Sequence, residues 1–409
     1  MIPRVAELPQ PFLEERHREL ARFVRTRLAE PLSAIDAEFA AGKLDESAAA
    51  RAAVKALSGT RVLHEAVLGE ARSLCVARAE VASISGFADT LLALQGLGSC
   101  PIRIAGTPAQ RSRWLEPAAF GAKIAAFALT EAEAGSDARS LKTTARRDGD
   151  GYLLDGEKTL ITNAGIADFY CLFARLADDE RHVAFVVDAD APGLAVAERF
   201  SLLAPHPIGR IVLSGCRVAA TQRLGAEGEG LALAFATLER FRASVGAAAT
   251  GLASRALAEA RRHVRARKQF GKLLADLQLT RSQIADAFVE LELARLAVLR
   301  AAWLFDQEEQ EESSAPRSVP GRGATVHGLA AAASSLAKLH ATEAAFRIVD
   351  RALQLFGGRG VVVGSVVERL FREVRALRIY EGTSEIQRLI LGRELLQGVL
   401  AGDGAADSG

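Results

Sequence analysis

Five short stretches of this 409-residue chain carry residue types that do chemistry. The first, Phe127-Ala-Leu-Thr-Glu-Ala-Glu-Ala-Gly-Ser-Asp137, runs from strand-like text into a Gly-Ser turn. Hydroxyls and backbone amides in such a turn can hold a phosphate or a polar ring edge; taken alone, it also reads as an ordinary Ser turn between strands. The second, Asp155-Gly-Glu-Lys-Thr-Leu-Ile-Thr-Asn-Ala-Gly165, is a hairpin turn followed by a strand ending in Thr-Asn. The third, Arg267-Lys-Gln-Phe-Gly271, closes a long helical run. An arginine there can clamp a phosphate bidentately or merely complement the helix dipole. The fourth, Ala352-Leu-Gln-Leu-Phe-Gly-Gly-Arg-Gly360, ends a helix in Gly-Gly, which is a C-cap or a place where backbone approaches a ligand closely. The fifth is Ile379-Tyr-Glu-Gly-Thr-Ser-Glu-Ile-Gln-Arg388. Glu381 stands on an irregular turn beside apolar Ile379 and Tyr380, where a carboxylate can have a raised pKa and act as a base. Ser384 with Gln387 would equally form a capping box beside a solvated Glu.

The elements that must position these stretches read as helix, then strand, then helix. Residues from about 13 to 98 are Ala/Leu/Glu/Arg-rich with few breakers. Thr107 with Pro108 predicts an N-cap and first position for a short helix over 109–114. From Ile124 turn signals crowd together, with short apolar runs at Phe127–Leu129, Tyr152–Leu154, Phe169–Leu172, Val183–Val187 and Ile211–Val218. That spacing predicts a small β sandwich or barrel. From about 228 the text is helical again. Ile284, Phe288, Leu291, Ala294 and Val298 repeat at helical spacing, as do Leu336, Leu339, Phe346, Val349, Leu353 and Phe356. The acidic run Glu308, Glu309, Glu311 and Glu312 within 307–323 predicts a solvated, mobile connection, and 401–409 a disordered tail.

Composition excludes several classes. Lys plus Arg is 51 and Asp plus Glu 50, so no basic field recruits nucleic acid or an anionic membrane. The longest uncharged stretches are too short and Ala/Gly-rich to span a bilayer, and the N-terminus has no secretory apolar core. Cys75, Cys100, Cys171 and Cys216 are scattered, which predicts reduced buried thiols in a cytoplasmic protein and no metal site.

Together and in this order, the five stretches resemble the acyl-CoA dehydrogenase family of flavoproteins, clearly over about 106–398. The resemblance implies an α+β fold: an N-terminal α-helical domain over 1–123, a middle β-barrel or sandwich domain over 124–226, and a C-terminal four-helix bundle over 227–400. It implies FAD, with Phe127, Leu129, Thr130 and Leu160 around the isoalloxazine, Ser136 on the pyrophosphate and Thr162 near N5. It puts Arg267 and Phe270 on the pyrophosphate and adenine side across a subunit interface. Gln278, Gln354 and Gly358 join them, and Thr383 and Glu385 lie nearby. Glu381 matches the catalytic base that removes the α proton of an acyl thioester, while hydride leaves the β carbon for flavin N5. Where some branches place the base on the preceding long helix, this chain has Phe241. Arg242, with Glu239, Tyr380 and Gly382, falls on the substrate side. The implied partners are an acyl-CoA, an electron-transferring flavoprotein, and further copies of the chain in a homotetramer or homodimer.

The text departs from the family pattern at Ala132 (usually Pro), at Leu160 (usually Trp), over 202–211 and over 359–364. The last two lie nearer the acyl side, so a thioester on an acyl or peptidyl carrier protein, as in secondary metabolism, is the second reading. An oxygen-using relative and a non-catalytic scaffold are further alternatives; the presence of Glu381, Thr162 and Arg267 together speaks against a scaffold.

Overall fold

The computed structural model describes residues 12–314 and 327–396, so the expected tail and residues 315–323 of the expected connection lie outside the described residues. Six helices come first: α1 Glu15–Phe23, α2 Ala29–Ala40, α3 Glu46–Leu57, α4 Arg61–Leu68, α5 Ala71–Ile84 and α6 Gly86–Ala105. Two short ones follow, α7 Pro108–Gln110 and α8 Glu116–Ala119. The strands are β1 Ala125–Ala128, β2 Thr144–Asp148, β3 Gly151–Thr162, β4 Phe169–Leu176, β5 His182–Asp188, β6 Leu194–Arg199, β7 Ile208–Ala219 and β8 Arg223–Leu224. Then come α9 Gly230–Ala266, a small hairpin of β9 Lys268–Gln269 and β10 Lys272–Leu273, α10 Gln278–Ser314, α11 His327–Phe356, α12 Val366–Ala376 and α13 Ser384–Leu396. The chain forms two compact units: one takes residues up to Arg27, Glu70–Gly86 and from Glu239 onward, the other Leu28–Gly69 and Phe87–Leu238.

In the second unit, Thr107 caps α7 as its sequence predicts: its Oγ1 accepts from the Gln110 amide, while the Gln110 side chain accepts from the Thr107 amide. The β text forms one eight-stranded sheet in the order β6-β7-β3-β2-β4-β5-β8, with β1 pairing β4 in parallel. Phe127 lies opposite Cys171. Its core gathers Tyr152, Leu154, Ile161, Tyr170, Leu172, Phe185, Ile211 and Leu213. Strand β2 is mostly polar and charged text, and β6, though apolar over 194–197, is exposed along most of its length, so neither shows an alternation of buried and exposed positions. Pairing between β3 and β7 shifts register between Lys158 and Ile161, and this bulge turns Leu160 outward.

In the first unit, α5 packs on α1 and α10, and α11 packs on α10, α12 and α13. Arg72 of α5 donates to Asp306 of α10, and the same carboxylate accepts from the Ala71 amide at 2.6 Å. Helix α9 approaches α5 so closely that a Cβ on Gly251 would stand 2.2 Å from the Ala79 carbonyl oxygen. Small residues make these approaches possible. The buried face of α11 is Ala330, Ala337, Ala341, Ala344, Ala345, Ile348 and Ala352. Of the large residues in its predicted stripe, Val349 is buried, Leu336 is exposed and the others are partly exposed. In α10 the stripe divides: Leu291, Ala294 and Val298 are buried, whereas Ile284 and Phe288 line an open cavity of about 460 Å³ against α9.

The acidic run corrects one expectation. Residues 307–314 continue α10; Glu308 is buried, accepting from the Ala330 amide, and Glu309 pairs with Arg240. Those partners lie on α9 and α11, far off in sequence, so local composition could not reveal them. All four cysteines are free and buried. Burial pushes the thiols of Cys75, Cys171 and Cys216 up, to about 12 for Cys75 and about 11 for Cys216.

Candidate active site

The predicted site residues fall in both units. In the second unit, the first two stretches are brought together. The turn after β1 closes with reciprocal backbone bonds between Glu131 and Ala134. The Thr159 amide donates to the Thr130 carbonyl at 2.9 Å, tying the β3 edge to that turn. Lys158, fully buried, donates from Nζ to the Leu129 carbonyl at 3.1 Å and to Glu131 Oε1 at 2.7 Å. Glu131 also accepts from the Lys142 and Thr143 amides. Burial pushes Glu131 up, but the Lys158 ammonium and the hydrogen bonds from Lys142 and Thr143 together outweigh it and hold the carboxyl below its ordinary range. Burial brings Lys158 down to about 8, so the pair is ionised at neutral pH. Asn163, in a left-handed conformation, donates from Nδ2 to the Ala125 carbonyl at 2.8 Å and so fastens the end of β3 to the start of β1.

Phe127 and Leu129 are buried, with Phe127 5.0 Å from the Phe173 ring, so backbone is what they offer a ligand. Thr130 and Thr162 are half-buried and Ser136 is exposed. Leu160 has φ +54° and is 54% exposed, unusual for a large apolar residue on a sheet edge.

In the first unit, α9 ends at the third stretch. Phe270 and Gly271 have φ of +50° and +74°, the two left-handed residues of a tight hairpin turn between β9 and β10. The turn lifts Phe270 until it is 91% exposed. Arg267, at the hairpin base, is exposed, as are Gln278, Gln354 and Gly358. The ring of His263 stacks on Phe356 at 4.2 Å, joining the end of α9 to the end of α11 and therefore the third stretch to the fourth.

The fifth stretch forms a separate turn between α12 and α13. Glu381 and Gly382 are both left-handed, with φ of +52° and +89°. A non-glycine residue in that region costs about 1–2 kcal/mol, so its surroundings must hold it. Gln387, fully buried, donates to the Gly382 carbonyl at 3.1 Å, and Lys338 of α11 donates to the same oxygen. Thr383 caps α13 by accepting from the Ile386 amide, so Gln387 is spent on the turn and no Ser384–Gln387 box forms. Glu343 accepts from Ser384 Oγ at 2.6 Å and from both arms of Arg378, fixing the α12–α13 connection. Tyr380 and Glu385 are exposed; Thr383 is half-buried.

Arg242 of α9 belongs to the same neighbourhood. It is 7% exposed, its nearest carboxylate is Glu239 at 3.9 Å, and its buried Nε has no hydrogen-bond partner among the described residues. Burial pushes its pKa down, against the pull of Glu239 and Glu381. A buried guanidinium so weakly satisfied has an N–H to donate to an anionic or carbonyl ligand. Lys338, Lys158, Glu131 and Asn163 carry no role in the sequence reading, and Gln387 appears there only as half of a capping box. Their signal was a charge or amide at a buried period: Lys338 follows Ser334 by one helical turn on the inward face of α11.

The middle part of the chain, 126–216, matches the acyl-CoA dehydrogenase middle-domain model, and 228–396 matches the acyl-CoA dehydrogenase C-terminal-domain model. A cyclohexane-1-carbonyl-CoA dehydrogenase from Geobacter metallireducens is 34% identical over 328 residues, 79% of this chain and 81% of that protein. The chain belongs to the acyl-CoA dehydrogenase family. An acyl-CoA dehydrogenase from Bacillus anthracis, solved in complex with FAD, superposes with a TM-score of 0.84 at 26% identity, over 98% of this chain and 70% of that one. The prolyl acyl carrier protein oxidase AnaB superposes with a TM-score of 0.79 at 26% identity, over 93% and 98%. This acyl-CoA dehydrogenase family member is an oxidoreductase acting on CH–CH donors. Among the described residues no helix is long and apolar enough to cross a membrane, and no cluster of His, Cys, Asp or Glu could hold a metal ion.

Proposed function

We propose that the protein dehydrogenates an acyl-CoA thioester between its α and β carbons, with Glu381 as the base and FAD as the cofactor. The observation that carries the reading is the Glu381 turn: a carboxylate held left-handed at a helix start, with two buried cations in its field.

The chain's residues fit a flavin dinucleotide. Gly135, Gly357 and Gly358 leave open space where a side chain would begin. Leu160 and Phe270 offer bare apolar surface, and Arg267 offers an exposed guanidinium of the kind that clamps a diphosphate. In the second unit Thr130, Ser136 and Thr162 supply hydroxyls; in the first, Gln278, Gln354, Thr383 and Glu385 supply polar groups. FAD, when bound, supplies a two-electron acceptor for the β hydrogen and its bonding pair.

The protein's part is acid–base and electrostatic. A thioester acidifies its α C–H only modestly, so the developing enolate needs donors aimed at its oxygen. The Glu381 backbone N–H is one. The Glu381 carboxylate takes the α proton and becomes a neutral acid, and the α–β double bond forms as the β hydrogen leaves. Arg242, with Glu239, Tyr380 and Gly382, lines the substrate side. An electron-transferring flavoprotein as acceptor, a homotetramer or homodimer, and a cytoplasmic setting complete the reading; the buried free thiols are consistent with a reducing compartment.

A second reading keeps Glu381 and FAD but delivers the acyl group on a carrier protein. The likeness to a prolyl acyl carrier protein oxidase favours weighing it. Anaerobic titration of the purified holoenzyme with short, medium and branched acyl-CoAs, following the flavin absorbance, separates the two. Bleaching by one class of acyl-CoA supports the first reading and gives its chain length. A flavin that carrier-bound thioesters reduce and acyl-CoAs do not supports the second.

A further inference from the structure

Helix α11 buries a face of alanine, serine and threonine, and in its middle stands Lys338, with 0% of its surface exposed. An ammonium in such a place needs a partner, because desolvation disfavours its charge. The partner is not a carboxylate clamp of the usual kind. Nζ donates to the carbonyl of Gly382, the residue after Glu381, and shares that oxygen with Gln387. The consequence is geometric. Glu381 and Gly382 each occupy the left-handed region, and the peptide following them is held by two buried side chains from two different helices, α11 and α13. A Cβ on Gly382 would stand 2.5 Å from Gln387 Nε2, so the turn and its clamp are closely fitted.

The second consequence is electrostatic. The charged groups facing Lys338 are Glu381 on the turn, Arg242 on α9, Glu343 on its own helix and Glu385 on α13; Arg242 in turn feels Glu239 and Arg393. Interaction between two charges is mutual, so the field by which Glu381 favours the ammonium is the field by which the ammonium favours the Glu381 carboxylate.

We propose that Lys338 is a positioning residue for the proton abstraction: it clamps the Gly382 carbonyl, so fixing the direction of the Glu381 side chain, and its charge keeps the Glu381 carboxyl ionised for the next turnover. The proposal rests on Glu381 being the base. Burial brings Lys338 down to about 8, so the ammonium is present at neutral pH.

The test compares holoenzymes carrying Lys338→Met, which removes donor and charge, and Lys338→Gln, which keeps an N–H donor. Flavin content, thermal midpoint, substrate Kd and the single-turnover rate of flavin reduction are measured from pH 5.5 to 8. For Lys338→Met we expect reduction slowed roughly a hundredfold, with substrate Kd within about threefold of wild type. Its acid limb should move up by about one pH unit, because loss of a nearby positive charge raises a carboxyl pKa. Lys338→Gln should recover part of the rate but keep the displaced acid limb. Wild-type rate and an unmoved limb in a folded, flavin-loaded Lys338→Met protein overturn the proposal. So does failure of both variants to fold or hold flavin, since the residue is then only structural. Glu381→Gln, run in parallel, separates the premise: if that variant still reduces its flavin at the wild-type rate, the reading of Glu381 as base fails, whatever Lys338 does.

Discussion

Two lysines sit in dry protein, one in each unit, and each holds a turn that the sequence marks for chemistry. Lys158 binds the Leu129 carbonyl and the Glu131 carboxylate, which is itself tied down by two amides. Lys338 binds the Gly382 carbonyl, and the carboxylates in its field include Glu381. Burial brings both down to about 8. The difference lies in what answers the charge. Around Lys158 a dedicated partner cancels it, leaving a closed pair that shapes backbone and offers nothing outward. Around Lys338 part of the answering charge sits on a residue that must gain and lose a proton. A buried charge with its own counterion builds structure; one that shares its counterion with the reaction can act on the reaction.

That contrast can be broken or sharpened by experiment. The largest effect belongs to Glu381→Gln, which should retain fold and flavin and lose roughly a thousandfold in flavin reduction; turnover near wild type would assign the base elsewhere. Next, Lys158→Met leaves the buried Glu131 charge uncompensated and should destabilise the protein by about 3–5 kcal/mol in urea unfolding. Its residual activity should keep the wild-type acid limb, unlike Lys338→Met. Arg267→Ala, at an exposed site, should leave stability within about 0.5 kcal/mol and weaken flavin retention roughly tenfold, read as flavin lost on dilution and gel filtration. Full occupancy would count against the phosphate role.

The smallest effect is in pH. A lysine at about 8 in the folded chain and 10.5 in the unfolded one binds more protons when unfolded, so its contribution to stability rises with pH between those values. The buried thiols, raised from 9.0, oppose this above pH 9. Subtracting Lys158→Met from wild type removes the thiols' share. The stability gap should therefore widen between pH 7.5 and 9, by at most about 1.4 kcal/mol per unit; a narrowing gap would mean that the pair holds its proton more tightly than the unfolded chain does.

What was legible in the sequence was local. The Thr107 cap and the apolar runs of β3, β4, β5 and β7 each depend on a few neighbouring residues, and each is found. What escaped depends on partners distant in the chain. The inner face of α11 is built mainly of alanines, so most of its large apolar residues lie on the flanks of that face. The charges of Glu308 and Glu309 read as solvated because Arg240 and Ala330 lie on other helices. Lys338 was hidden for the same reason: its meaning is a carbonyl 44 residues away.

All fourteen residues of α5 are buried, and its Arg72 meets Asp306, which is synthesised 234 residues later. At about 5–20 residues per second, the ribosome leaves that helix without its partner for roughly 10 to 50 s. Throughout that interval α5 is a sticky nascent segment whose burial must be supplied by something other than its own fold. The yield of active protein in a cell should accordingly follow chaperone supply and translation speed more closely than the stability of the finished molecule.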